Sequence, residues 1–106
     1  MGEFEEIVLL TVAVLYQNAY GVSIKKDIES RLDRKVSIGA LRTALKRLEK
    51  KGLLSSEFGE ATQVRGGKRK RYYKVTPYGV KVAESMMDAR RQLWNAIPPM
   101  ALKFNV

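Results

Sequence analysis

Neither cysteine nor histidine occurs among the 106 residues. Their absence removes disulfides, thiolate or imidazole metal ligands, a cysteine nucleophile and the usual general base near neutral pH. Paired carboxylates, a nucleophile beside a plausible base and a phosphate-cradling loop are also missing, since Gly66-Gly67 alone is too little for the last. No cofactor and no metal are expected, and the chain reads as a non-enzyme. Long apolar runs are lacking too: the longest, Ile7 to Tyr16, falls well short of the ~20 residues of a membrane span. Glu3, Glu5 and Glu6 stand before it, where a secretory leader carries basic residues. The expectation is a cytoplasmic protein with no membrane partner.

A chain of 106 residues is one domain long and buries roughly 60 to 70% of the surface that its unfolded form exposes. Its 45% hydrophobic and 29% charged residues, without low-complexity tracts, are ordinary for a folded protein. The net charge of +9 is distributed unevenly. Arg34 to Lys74 carries 13 basic residues against Glu49, Glu57 and Glu60, a balance of +10, while the rest of the chain has 7 basic and 8 acidic residues. A surplus of lysine that served solubility alone would be scattered. Concentration in one segment points to a polyanionic partner.

Periodicity gives the elements. Phe4, Ile7, Val8, Leu10, Val14 and Leu15 recur at helical spacing behind the N-terminal acids, predicting a first helix over about Glu3 to Ala19. Val12 and Tyr16 widen its apolar band, so that more than one side needs covering, by the same domain or by a partner. After the Tyr20-Gly21 break, Ile24, Ile28 and Leu32 predict a short second helix from Val22 to Leu32. Ser37 is a good N-cap for a third helix, Ile38 to about Lys51, which Gly52 stops. Ile38, Leu41, Leu45 and Leu48 form its core face. Gly39, Arg42, Thr43, Lys46, Arg47 and Lys50 form the opposite face, where only Glu49 interrupts the positive series.

Leu53 to Phe58 and Tyr72 to Val75 predict two strands of an antiparallel hairpin with a long basic tip. Thr76-Pro77 is a helix start, with Thr as cap and Pro preset for the first turn. The final helix runs to about Ile97, where Pro98-Pro99 ends it. The fold class is therefore mainly α with a small β-hairpin (α+β), in the order of a winged helix-turn-helix with a long C-terminal dimerisation helix. Residues 1–76 form the winged unit and residues 77–106 the dimerisation helix and tail.

A helix of about 12 Å diameter fits the major groove of DNA, which lets Arg42, Lys46 and their neighbours reach phosphates and base edges. The hairpin tip, Arg65-Gly66-Gly67-Lys68-Arg69-Lys70-Arg71, combines backbone freedom with five positive charges and can follow the DNA backbone or enter the minor groove. Taken alone the tip reads equally well as a solvated turn that binds nothing. Beside a basic helix the DNA-binding reading is the better one.

These segments carry a resemblance. The Tyr20-Gly21 break, Ser37-Ile38-Gly39-Ala40-Leu41, the run from Leu45 to Leu54, and Arg69-Lys70-Arg71-Tyr72-Tyr73-Lys74-Val75-Thr76-Pro77 followed by Gly79 closely resemble the PadR family of bacterial transcriptional regulators. The match spans roughly Phe4 to Ile97. The resemblance implies a winged helix-turn-helix, mostly repression, and a homodimer built by the C-terminal helix against the partner's N-terminal helix. It places operator DNA, double-stranded and pseudo-palindromic, on Ser37, Gly39, Arg42, Thr43, Lys46, Arg47 and Lys50 of the third helix and on Arg65, Lys68, Arg69, Lys70 and Arg71 of the wing. The dimer surface would draw on Phe4, Val8, Val12, Val80, Ala83, Met86, Met87, Leu93, Trp94 and Ile97. Arg42 stands where the family commonly has an aromatic residue, and Tyr78 where an acid is common.

Some members of the family resemble small-molecule sensors. Trp94 could stack a flat effector of unknown identity at the dimer interface, or it could fill that interface with Met86 and Met87. The other reading of the whole chain is a non-catalytic winged-helix module whose basic face meets an acidic protein or RNA in a larger assembly.

Overall fold

The computed structural model describes residues 1–59 and 69–103. Four helices and one hairpin follow in the order α1 (Glu3–Val14), α2 (Gly21–Leu32), α3 (Ile38–Lys50), β1 (Leu54–Phe58), β2 (Arg71–Val75) and α4 (Pro77–Ala96), with a 3-10 turn at Pro99–Leu102. α1, α2 and α3 close around Leu9, Ile24, Ile28, Leu41, Leu48 and Leu54, all fully buried. The arrangement is a winged helix-turn-helix whose wing is the two-stranded sheet.

α1 differs from its periodic reading in two ways. Leu9 is buried and Val14 exposed, so the inward face is rotated from the expected stripe. The helix also stops at Val14 rather than near Ala19, because Gln17 turns left-handed at φ 67°. That turn delivers the Ala19 carbonyl to the Tyr73 N–H at 2.8 Å, which straps β2 to the α1–α2 connection. Ser23 then organises the start of α2 by accepting the Tyr20 N–H (2.9 Å) and donating to the Asn18 carbonyl (2.6 Å).

α3 is capped by Ser37, whose Oγ accepts the Ala40 N–H at 3.0 Å. Leu41, Ala44, Leu45 and Leu48 face the core. Ile38 does not: it sits on the first turn beyond the edge of α1 and α2 and is 44% exposed, while Ala44 completes the buried face. Gly52 ends the helix at φ +80°, and the Leu53 N–H returns to the Leu48 carbonyl at 2.9 Å. Leu32, expected on the inner face of α2, is likewise exposed at the last turn.

In the hairpin Leu54 pairs with Val75, Ser56 with Tyr73 and Phe58 with Arg71. Thr76 joins it to α4: its Oγ1 donates to the Gly52 carbonyl (2.6 Å) and accepts the Gly79 N–H (2.9 Å). α4 touches the body along one edge only. Val82 and Ala83 pack on the core, and Arg90 grips the buried Glu6 carboxylate with a 2.6 Å ion pair. Its last turns, beyond Arg90, leave Leu93 72% and Trp94 63% exposed. The radius of gyration is accordingly 17.0 Å, against about 13 Å for a compact chain of this length.

The expected dimer residues divide on this architecture. Val8 and Val12 are enclosed in the subunit's own core and offer a partner no surface, which corrects their assignment. Phe4 is half-buried against that core. Val80, Met87, Leu93 and Trp94 are exposed, and Ala83, Met86 and Ile97 are half-buried. Gly79 is fixed by close packing, because a Cβ there would collide with the Leu53 carbonyl oxygen and come within 2.7 Å of a Val75 methyl. Gly79→Ala is expected to destabilise the protein by about 1–3 kcal/mol, or roughly 4–8 °C in Tm for each kcal/mol. A thermal melt unchanged from wild type would contradict this packing.

Candidate nucleic-acid interface

Burying one side of α3 turns the other side out. Ser37, Gly39, Arg42, Thr43, Lys46, Arg47 and Lys50 are all exposed. Arg47 leans toward α1, 3.7 Å from Glu5, which Lys51 also holds at 2.9 Å. The hydrogen bond from Lys51, aided by the charges of Lys51 and Arg47, keeps the Glu5 carboxyl below its usual range against partial desolvation. Arg42, Lys46, Lys50, Arg69 and Lys70 make no ion pair among the described residues. An exposed helix face that leaves its own cations unneutralised presents them to whatever anion approaches.

Glu49, the single acid in the series, faces the wing. Its Oε2 accepts the Ser56 hydroxyl at 2.7 Å, Ser56 Oγ accepts from Arg71 at 3.0 Å, and the Arg71 guanidinium lies 3.9 Å from Glu49 Oε1. The same guanidinium stacks over the Phe58 ring, 4.5 Å from its centroid. Arg71, expected to touch DNA, thus gives one donor to Ser56 of β1 and stands beside Glu49 of α3, with its side chain still partly exposed. Lys70 lies over the Tyr20 ring at 4.2 Å, and Tyr20 meets Tyr72 edge-on at 5.5 Å. Its ammonium is thereby held beside the start of α2.

These contacts bring the wing base and the start of α3 to one place. Gly21, Val22, Ile38, Arg42, Lys70 and Arg71 line a single open hollow of about 420 Å³ with Tyr73 beneath them. Burial pushes the Tyr73 phenol above its usual pKa, while the neighbouring Arg71 and Arg42 charges draw it back and Glu49 adds to the rise. Both arginines therefore act on one ring. Arg65 and Lys68 lie outside the described residues. Trp94 belongs to a different surface, near the end of α4.

Sequence reading did not place Tyr20, Val22 or Ile38 on this face, nor did it join Glu49 to the wing. Tyr20 carried a signal, an aromatic residue at a helix break. The pairing of Glu49 with Ser56 and Arg71 depends on hairpin register, which no local pattern shows. Among the described residues no group of three or more acidic side chains could hold a metal ion, and no helix is long and apolar enough to cross a membrane.

Comparison with known proteins agrees with the geometry. Residues 9–85 match the family described as transcriptional regulator PadR-like. An uncharacterised protein of Lysinibacillus sphaericus is 32% identical over 80 residues, which are 74% of this chain and 69% of that protein. Among solved structures, a PadR-like transcription factor from Bacteroides fragilis superposes with a TM-score of 0.72 at 28% identity, covering 87% of this chain and 84% of that one. A PadR family transcription regulator from Clostridium difficile gives 0.64 at 28% identity, covering 84% and 91%.

The approach to α3 is set by Glu29, whose Oε2 accepts the Val36 N–H at 2.9 Å and so holds the connector ahead of Ser37. That hydrogen bond, reinforced by Lys25, keeps the Glu29 carboxyl below its ordinary value of 4.5 against some desolvation. A folded pKa below the unfolded one contributes stability that is present above the unfolded value and lost as pH falls through the folded value. A carboxyl-detected NMR titration of Glu29 should therefore find its midpoint below 4.5, with loss of Val36 amide protection over the same pH range. A midpoint at or above the ordinary value would contradict the contact.

Proposed function

The chain belongs to the PadR-like family of transcriptional regulators, and from that premise we propose that it represses transcription as a homodimer seated on a pseudo-palindromic operator. It is a regulator and not an enzyme. The observation that carries the reading is the shared hollow, where Arg42 of α3 and Lys70 of the wing base stand on one surface. Arg42, Thr43, Lys46 and Lys50 would enter the major groove, and Arg69, Lys70 and the tip beyond them would follow the adjacent backbone. Residues 1–76 serve as the DNA-reading unit. Bound at a promoter, the protein would exclude polymerase.

The dimer is supported by α4. A helix that packs along one edge and leaves Leu93 and Trp94 in water exposes an apolar surface that a second copy can cover. Two-fold symmetry then sets two α3 helices about one turn of DNA apart. A flat effector stacking on Trp94 would sit in that same interface and shift the spacing of the two reading units.

If 6 to 10 phosphates are contacted, affinity for duplex DNA falls about 10³- to 10⁵-fold between 50 and 200 mM salt. Replacing Arg69 and Lys70 with Ala lowers affinity for every sequence and reduces the salt slope by about two. Arg42→Ala instead changes which sequences a random duplex pool yields. A shallow salt response, or enrichment of single-stranded RNA over duplex, would overturn the DNA assignment. Sedimentation should give a dimer that Leu93→Glu with Trp94→Glu converts to a monomer. A wild-type monomer at all concentrations would refute the symmetric mode.

A further inference from the structure

Two apolar side chains interrupt the cationic face. Val22 is 53% exposed on the first turn of α2, and Ile38 is 44% exposed on the first turn of α3. Both line the hollow that holds Arg42, Lys70 and Arg71. Each adjoins a glycine, Gly21 before Val22 and Gly39 after Ile38.

The fold needs neither glycine. Gly52 alone among the described glycines has a positive φ. A Cβ added at Gly21 meets nothing within 4 Å, and one at Gly39 meets only the Ser37 Oγ at 3.8 Å. Gly21 is the first residue of α2 and Gly39 the second of α3, and neither is required there by internal packing. The space left open lies outside the molecule, beside the exposed Ile38. A surface that keeps its own backbone bare there admits a partner at close range.

The surrounding charge identifies the partner as polyanionic, and a polyanion with an apolar feature narrows the choice further. In the major groove the one apolar group that base pairs present is the C5-methyl of thymine. The N-terminal residues of a recognition helix are those that meet base edges, and Ile38 is the first residue of α3. We infer that Ile38 is a specificity-determining residue that packs on a thymine methyl group, with Gly39 leaving room for the groove wall. The inference rests on the DNA-binding reading above and adds to it the identity of one base. A guanine or cytosine at that position would set a polar base edge against an aliphatic side chain and leave its donor or acceptor without water.

The methyl group can be removed without touching any hydrogen bond. A duplex enriched by the wild-type protein from a random pool is copied with thymidine or with deoxyuridine triphosphate, and the two copies are compared in the same buffer. The wild type should bind the uracil copy about fourfold more weakly for each half-site, the factor that withdrawing one methyl-sized group from water provides, or about 15-fold for a dimer that loses the contact at both Ile38 side chains. Ile38→Ala should bind both copies alike, at about the weaker affinity, and Ile38→Val should restore the discrimination. Circular dichroism and melting of both variants check that the fold is kept.

Equal wild-type affinity for the two copies overturns the assignment of Ile38, and with a steep salt dependence it leaves the DNA-binding reading standing. An unchanged discrimination in Ile38→Ala also overturns it, since another side chain then senses the methyl. Failure to enrich any duplex overturns both.

Discussion

Leu41, Ala44, Leu45 and Leu48 hold α3 against the body, and the direction of every cationic side chain on that helix follows from them. Burying a leucine side chain is worth about 1.5–3 kcal/mol. The ion pairs at the margins of the face, Arg47 with Glu5 and Arg71 with Glu49, each have a well exposed guanidinium and lie at 3.7 and 3.9 Å, and such pairs give about 0–1 kcal/mol. Apolar anchoring therefore decides the roll of the helix, and the ion pairs trim its edges. With 3.6 residues per turn, fixing the leucines inward leaves Arg42, Thr43, Lys46 and Lys50 no direction but outward.

The wing depends on this anchoring at second hand. β2 is tied to the α1–α2 connection through Tyr73 and Ala19 and to α3 through the chain of Arg71, Ser56 and Glu49. Thr76 fastens the end of β2 to the turn that closes α3. The hairpin base is thus referenced to the same helix that carries Arg42. Unneutralised like charges on such a surface repel one another in the free protein, a cost relieved when a polyanion arrives and its counterions leave.

Features written in neighbouring residues were legible in the sequence. The Ser37 cap, the Gly52 stop and the Thr76-Pro77 start each rest on one or two side chains acting on their own backbone, and all three occur as read. The outward basic face of α3 was legible for the same reason, since periodicity is local. The end of α1 was not, because Leu15 and Tyr16 continue an apolar pattern past Val14, where the helix ends ahead of the left-handed turn at Gln17. Ile38 fits the period of the core face, yet the body ends before it. Val8 and Val12 show the remaining limit: a broad apolar band says that two sides are covered, without saying which is covered by the same chain. The roles of Glu49 and Arg71 depend on register between a helix and a hairpin, which composition cannot carry.

The central assignment is that α3 and the wing base act as one surface toward DNA. Amide chemical-shift mapping during titration of an enriched duplex into isotope-labelled protein tests it most directly. One surface requires Ser37 to Arg47, Gly21-Val22 and Arg69 to Tyr73 to shift together at a common saturation point. Shifts gathered on α4, or on α3 with the wing base silent, would contradict it.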